Sequence, residues 1–384
     1  MRLLLLVTLA LACGKPAAPP VCGQNGDAWL CGANVLVKGV GVTATDCRGG
    51  VCQHNENTDL VVFNGALYLV HRTAISQVLG PNSSLRISRS TDSGATFTLV
   101  ATLPAIDGRD LRDPHFFEVN GALHLKAITR LPVTSSRDSN VDSITVGASS
   151  PDGVTWSPLA PLGPPGWSFW RPRLKDGTWY SAAYADGDQR VALFSSTNGT
   201  TFTQGADVYT HSEDTPLETE LVFMPKGKLL ALVRMDGTNQ ELFGDGRLRT
   251  KTCWASPPYA TFDCSTELDG QRLDGPLALW WGARLFVVAR KHVRDPVATL
   301  GGNLRKRTAL FELTGDLDGG PLAARELGEL PSAGDTAYAG AAPLGGDRFL
   351  VSWYSSDVRA DTDWIDGMLG ATDIWLGTID FSRL

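Results

Sequence analysis

Leu60-Val-Val-Phe-Asn-Gly-Ala-Leu-Tyr-Leu-Val-His-Arg72 is the stretch that decides the fold, because the chain repeats it. Two apolar runs flank an Asn-Gly pair. That reads as two β-strands joined by a tight turn, with Gly where the backbone needs positive φ. A close copy follows, His115-Phe-Phe-Glu-Val-Asn-Gly-Ala-Leu-His-Leu-Lys-Ala127. Looser copies are Arg173-Leu-Lys-Asp-Gly-Thr-Trp-Tyr-Ser181 and Leu221-Val-Phe-Met-Pro-Lys-Gly-Lys-Leu-Leu-Ala-Leu-Val-Arg234. The last two begin at Leu277 and Ala341. The turn glycines are Gly65, Gly121, Gly177, Gly227, Gly282 and Gly346, spaced by 56, 56, 50, 55 and 64 residues. Units of this length, each unable to bury its own apolar face, point to an all-β, six-bladed β-propeller over residues 53–384. Seven blades or an open array are the other arrangements such a repeat allows. Asn34 to Val42 alternates apolar and polar residues and is expected to supply the outer strand of the last blade, beside Ile374-Trp-Leu-Gly-Thr-Ile379.

Composition agrees. A chain of 384 residues is too long for one ordinary core unless that core is repeated. Only 20% of residues are charged, while Gly (41) and Pro (22) supply many turns. The net charge of −7 argues against nucleic acid, whose phosphates need a basic surface. Residues 1–12 read as a signal peptide: Met1-Arg2, then an apolar run from Leu3 to Ala12 that is too short to span a bilayer. Leu9-Ala10-Leu11-Ala12-Cys13 resembles a bacterial lipobox, which implies lipidation of Cys13 and a short tether over residues 13–21. A plainly cleaved signal is the other reading. The lipid reading places the protein at the bacterial cell envelope, outer membrane or cell surface, touching the membrane through that anchor only.

Seven cysteines are an odd number for an exported chain. Setting Cys13 aside leaves Cys22/Cys31, Cys47/Cys52 and Cys253/Cys264 as local disulfide candidates, the first two within a segment 22–52. Six cysteines allow fifteen pairings, and a zinc site is the rival reading. Neither a metal nor another cofactor is expected, and the chain is read as a monomer.

A second motif follows the hairpins. Ser90-Thr-Asp-Ser-Gly-Ala-Thr-Phe97 fits S-x-D-x-G-x-x-aromatic, and Ser150-Pro-Asp-Gly-Val-Thr-Trp156 and Ser196-Thr-Asn-Gly-Thr-Thr-Phe202 are shorter forms. Ala255 to Phe262 reads as a decayed copy. In each, an acid or amide can bond the turn's own backbone while the aromatic packs inward. These Asp-boxes, at this spacing, resemble the bacterial neuraminidase repeats of the sialidase superfamily.

In a propeller the inner strands all run the same way, so equivalent positions converge on one rim. Counting back from each turn Gly gives Asp59, Asp113, Arg171, Glu218 with Glu220, Asp274 and Tyr338. Counting forward gives Arg72, Arg130, Tyr184, Arg234, Arg290 and Tyr354. Such a set is either a network of ion pairs closing the ring or a carbohydrate site. Trp170, with Trp167 and Phe169, could stack on a sugar or belong to the core.

The resemblance implies a Tyr nucleophile, a Glu base, an Asp acid and an arginine clamp for a sugar carboxylate. By motif, Glu218-Thr-Glu-Leu-Val…Leu-Val-Arg234 resembles the segment with the Glu and a clamp Arg, with Glu220 as the alternative Glu. Thr336-Ala-Tyr338-Ala-Gly resembles the segment with the nucleophile, and Arg290 or Arg307 the further clamp Arg. The family's Arg-Ile-Pro motif is absent: Asn57-Thr-Asp-Leu60 stands there, and no Asp lies between Arg72 and Asp92. Arg72, Arg112 or Arg171 could replace that Arg, and Asp59 or Asp113 the acid. Arg112-Asp-Pro114 also resembles a triplet of five-bladed glycosidases that work with three carboxylates. The implied function is a sialidase-like glycoside hydrolase on terminal sugars of glycans, exo-α-sialidase included. The alternative is a non-catalytic propeller that binds glycan or protein.

Overall fold

All six turn glycines take positive φ, from 57° at Gly282 to 93° at Gly227. The computed structural model describes residues 21–24, 27–77, 80–106, 108–131, 142–185, 189–211, 215–236, 250–268, 272–293 and 305–384. The expected signal peptide, Cys13 and most of the tether lie outside the described residues.

In chain order the strands are β1 (Leu30–Val37), then β2 (His54–Phe63), β3 (Ala66–Ala74), β4 (Ser84–Ser90) and β5 (Thr98–Pro104). Next come β6 (Asp110–Val119), β7 (Ala122–Arg130), β8 (Ile144–Ser150) and β9 (Ala160–Pro161). β10 (Ser168–Phe169) and β11 (Arg173–Lys175) are two pieces of one inner strand, followed by β12 (Thr178–Ala185), β13 (Arg190–Ser196) and β14 (Thr203–Thr210). β15 (Thr215–Phe223), β16 (Leu229–Asp236), β17 (Lys251–Ala255) and β18 (Asp263–Glu267) precede β19 (Asp274–Trp281), β20 (Arg284–Val293), β21 (Arg305–Gly315) and β22 (Leu322–Glu329). β23 (Thr336–Gly345), β24 (Arg348–Ser356), the short helix α1 (Trp364–Leu369) and β25 (Thr372–Asp380) complete the chain.

Each hairpin begins an antiparallel meander, and inner strands of successive meanders are neighbours around a ring that closes from β23 to β2. This is a propeller arrangement. One sheet counts eight strands because a single parallel bridge, His54 to Thr372, joins β25 to β2. β1 pairs with β25 (Asn34 opposite Leu376, Val35 opposite Trp375), so the expected joining of the two chain ends is present, but the strand is Leu30–Val37 and residues 38–42 lie beyond it. Segment 22–52 is therefore continuous with the ring through β1.

Among the described residues the apolar interior is divided into six clusters, each filling the wedge between consecutive meanders. Phe63, Tyr68 and Leu85 meet Leu111, Phe116 and Leu123, for example. Contact between inner strands is close: a Cβ on Gly340 of β23 would strike the backbone of Asp59 and Leu60 in β2. The three disulfides pair as expected, Cys22–Cys31, Cys47–Cys52 and Cys253–Cys264.

The motif turns join third to fourth strands. Asp92 accepts from Thr96 N–H at 2.9 Å, and Asp152 accepts from Val154 and Thr155 N–H at 2.8 and 2.7 Å. Asn198 accepts from Thr200 and Thr201 N–H at 2.9 and 3.0 Å. Ala255 to Phe262 spans the same position between β17 and β18.

Candidate active site

The inner strands are irregular just where they start. Register slips in β2 after Glu56, in β6 after Arg112, in β15 after Pro216, in β19 after Asp274 and in β23 after Ala337. Positive φ marks four of these bulges, at Asn57, Asp113, Gly275 and Tyr338. A bulge re-aims one side chain out of the alternating pattern. Here it turns Asp113, Glu218 and Tyr338 into a common cleft of about 180 Å³, also lined by Arg112, Arg130, Tyr184, Leu217 and Arg234.

At its centre the Tyr338 hydroxyl donates to Glu218 Oε1 at 2.7 Å. Arg234 Nη1 donates to both Glu218 oxygens (2.9 and 2.7 Å) and to Tyr338 Oη (2.9 Å). Burial, and then the Glu218 carboxylate, hold the Tyr338 phenol well above its ordinary range. Burial alone would lower the Arg234 pKa, but Asp236, Asp274 and Glu218 hold it well above normal. Asp113 is 6% exposed, and its Oδ1 has no hydrogen-bond partner.

A buried wall stands behind Arg234 and Tyr338. Arg234 Nε and Nη2 grip Asp236 at 2.9 and 2.8 Å. Asp274 receives Arg272 (2.8 Å), Arg290 (3.3 Å) and His292 (2.7 Å). Burial would raise the Asp274 pKa, yet Arg234 and Arg272 push it well below the carboxylate range. Arg290 also reaches Asp335 at 3.2 Å and packs against the Tyr338 ring (5.3 Å) and the Trp364 ring (5.6 Å). On the other side Arg72 is fully buried, donating to Glu56 and, at 2.9 and 2.7 Å, to the two oxygens of Asp110.

Several expected site residues lie elsewhere. Asp59, Arg171 and Glu220 sit one layer deeper. Arg171 pairs with Asp59, and Arg173 with Glu220, forming a plug inside the channel. Asp59 and Arg171 line a separate cavity of about 530 Å³ that opens at the hairpin-turn end. They stand six residues before their turn glycines, and Glu220 seven, whereas Asp113, Glu218 and Tyr338 stand eight or nine before. Only the latter reach the bulge. Trp170 is 1% exposed and meets Tyr338 (5.8 Å) and His115 (5.0 Å) edge-on, so it supports the site from behind. Trp167 and Phe169 are core. Arg307 pairs with Asp361 and Glu329, away from the cleft. Arg72, Arg290 and Asp274 belong to the buried walls.

Asp236, Arg272 and Asp335 were missed in the sequence. A signal was present for the first two: Arg234-Met-Asp236 and Arg272-Leu-Asp274 put opposite charges two residues apart, the first pair on one strand face.

No family model matches the chain, and no curated protein matches it. Solved structures do. A protein of unknown function from Dyadobacter fermentans superposes with a TM-score of 0.63 at 17% identity, over 91% of this chain and 99% of that one. The Trypanosoma rangeli sialidase superposes with a TM-score of 0.61 at 12% identity, over 90% of this chain and 59% of that chain. The fold is of the sialidase type. A Hadza microbial sialidase agrees, with a TM-score of 0.54 at 15% identity, over 86% of this chain and 66% of that one. This chain thus spans less than two thirds of either sialidase. At these identities the sialidase-type fold is what is shared, and the site's chemistry must be argued from its own residues.

Proposed function

We propose that the protein is a six-bladed sialidase-type propeller that hydrolyses terminal glycosidic bonds of glycans, with exo-α-sialidase activity as the form the resemblance carries. The eight-stranded sheet is read as two blades touching at one bridge, and the three motif turns as Asp-boxes. The chain is proposed to act as a monomer at the bacterial cell envelope, held there by a lipid on Cys13.

The carrying observation is the 2.7 Å hydrogen bond from the Tyr338 hydroxyl to Glu218. A phenol held protonated by burial is a poor nucleophile until a base takes its proton. Glu218 is placed to take it. Tyr338 Oη then bonds to the anomeric carbon, while the glycosidic C–O bond breaks and its electron pair leaves with the aglycone oxygen. Asp113 gives that oxygen a proton. Water next attacks the anomeric carbon and gives its proton to Asp113. Tyr338 leaves and recovers its proton from Glu218. Arg234, bonded to Tyr338 Oη at 2.9 Å, stabilises the phenolate character that builds up. Arg112, at the cleft wall, is placed to hydrogen-bond the bound sugar.

Hydrolysis of a panel of aryl glycosides, sialosides included, by the wild type, Tyr338→Phe and Glu218→Gln tests this. Loss of at least about 100-fold in kcat is expected for each variant, the usual scale for removing a nucleophile or base. Wild-type activity in Tyr338→Phe would exclude the Tyr nucleophile. The acids already bonded to Arg234 and Arg290 favour a second reading, a non-catalytic glycan-binding propeller. Glycan binding without turnover of any substrate would select it.

A further inference from the structure

The charges around the cleft are matched before any ligand arrives. Arg234 faces Glu218, Asp236 and Asp274. Arg290 faces Asp274 and Asp335, and Arg272 faces Asp236 and Asp274. On the opposite wall Arg72 meets Glu56 and Asp110, and Arg112 meets Asp110 at 3.4 Å. Arg130 donates to Tyr184, and Asp113 adds a further acid to the cleft. Among the described residues here, six guanidiniums stand among seven acidic side chains, of which Glu56 is raised by burial to about 7. Lys306 does not reverse the balance, because burial pushes it well below its ordinary range, toward the neutral amine. The internal segments outside the described residues supply no surplus cation in sequence: residues 107, 186–188, 212–214 and 269–271 hold acids and no cations, and three longer ones balance. Residues 132–141 hold one Arg and one Asp, 237–249 two arginines and two acids, and 294–304 one Arg and one Asp.

A clamp for a sugar carboxylate needs guanidinium N–H groups still free to point at it. Arg234 already donates through Nε, Nη1 and Nη2. Arg290 packs against the Tyr338 and Trp364 rings, and its nitrogens are directed at Asp274 and Asp335. A ligand carboxylate beside Tyr338 would sit next to Glu218, where Arg234 and Arg290 are already engaged with acids. At an effective dielectric constant of about 20, two like charges about 5 Å apart repel by roughly 3 kcal/mol.

We infer that the cleft takes an uncharged sugar, one without a carboxylate at or beside the anomeric carbon. This rests on the cleft being the glycan site, and it narrows that reading away from sialic and uronic acids. Hydroxyl groups can share the Asp113, Glu218 and Arg112 positions without a change in net charge.

The test is calorimetric titration of the intact chain with galactose, arabinose and N-acetylglucosamine against N-acetylneuraminic and glucuronic acids. At least one neutral sugar should bind at least about tenfold more tightly than either acid, a difference of about 1.4 kcal/mol. An acidic sugar that binds equally or better, or three neutral sugars that do not bind in the millimolar range, would overturn the inference. Turnover of the matching aryl glycosides, run in parallel, separates the two readings. Neutral binding without turnover removes the hydrolase and keeps the neutral sugar. Turnover of the sialoside does the opposite. Asp236→Asn adds a test by gain: removing one acid beside Arg234 should tighten N-acetylneuraminic acid binding by roughly tenfold. A folded variant with unchanged affinity would count against charge matching as the cause.

Discussion

Asp113 combines three properties that rarely occur together. It has φ of 48°, it is 6% exposed, and one carboxylate oxygen has no partner while Arg112 stands beside it. A non-Gly residue held at positive φ signals that its surroundings fix it there for a reason. If Asp113 supplies the leaving-group proton, Asp113→Asn should slow hydrolysis of alkyl glycosides by about 100-fold or more, while 4-nitrophenyl glycosides, which need little proton assistance, lose far less. Equal losses on both would assign Asp113 to positioning alone. At this scale the sequence was informative about residue type and less so about depth. Tyr338, Glu218, Arg234, Asp113 and Arg112 do line one cleft. Asp59, Arg171 and Glu220 have the same chemistry but stand two or three residues nearer their turn glycines, within the channel. Nothing in their identity reveals that difference, since a bulge leaves no mark in sequence beyond an occasional Gly such as Gly275.

The hairpins were the most legible elements, because two apolar runs about a turn Gly are a local signal. The closure was also legible, since β1 shows alternation and finds β25 as partner. The division of one inner strand into β10 and β11 was hidden, and Pro172 lies in the gap, where it cannot donate to a ladder. Gly340 shows how tightly inner strands are set. It has no need of positive φ, but its Cβ position is taken by the β2 backbone. Gly340→Ala should therefore cost roughly 2–4 kcal/mol, measured by denaturant unfolding. Gly49→Ala, with open space around it, should stay within about 0.5 kcal/mol. Similar values for the two would mean that β2 and β23 can move apart freely.

Across the whole molecule, burial of histidines sets the response to acid. Burial holds His54 at about 4 and His71 and His292 at about 3, with His115 well below normal. In the unfolded chain these rings take up protons near pH 6.5, which the folded chain refuses. Stability therefore falls as pH drops through 6.5, by up to about 2 kcal/mol per ring at pH 5. Glu56 works against this. Burial raises it from 4.5 to about 7, so its folded form gains from protonation between those values. Four imidazoles outweigh one carboxyl, and the melting temperature should decline from pH 7 to pH 5. A flat profile would show that the rings protonate in place.

The pairing of β1 with β25 carries one more consequence. β25 runs from the cleft end at Thr372 down to Asp380 at the hairpin-turn end, and Leu30 lies opposite Ile379 there. The chain thus enters and leaves the ring on the face opposite Tyr338. Any surface that holds this protein by its leading end meets the blunt side first. With the chain held by a lipid as proposed, Tyr338 and the cleft would face away from the anchoring membrane.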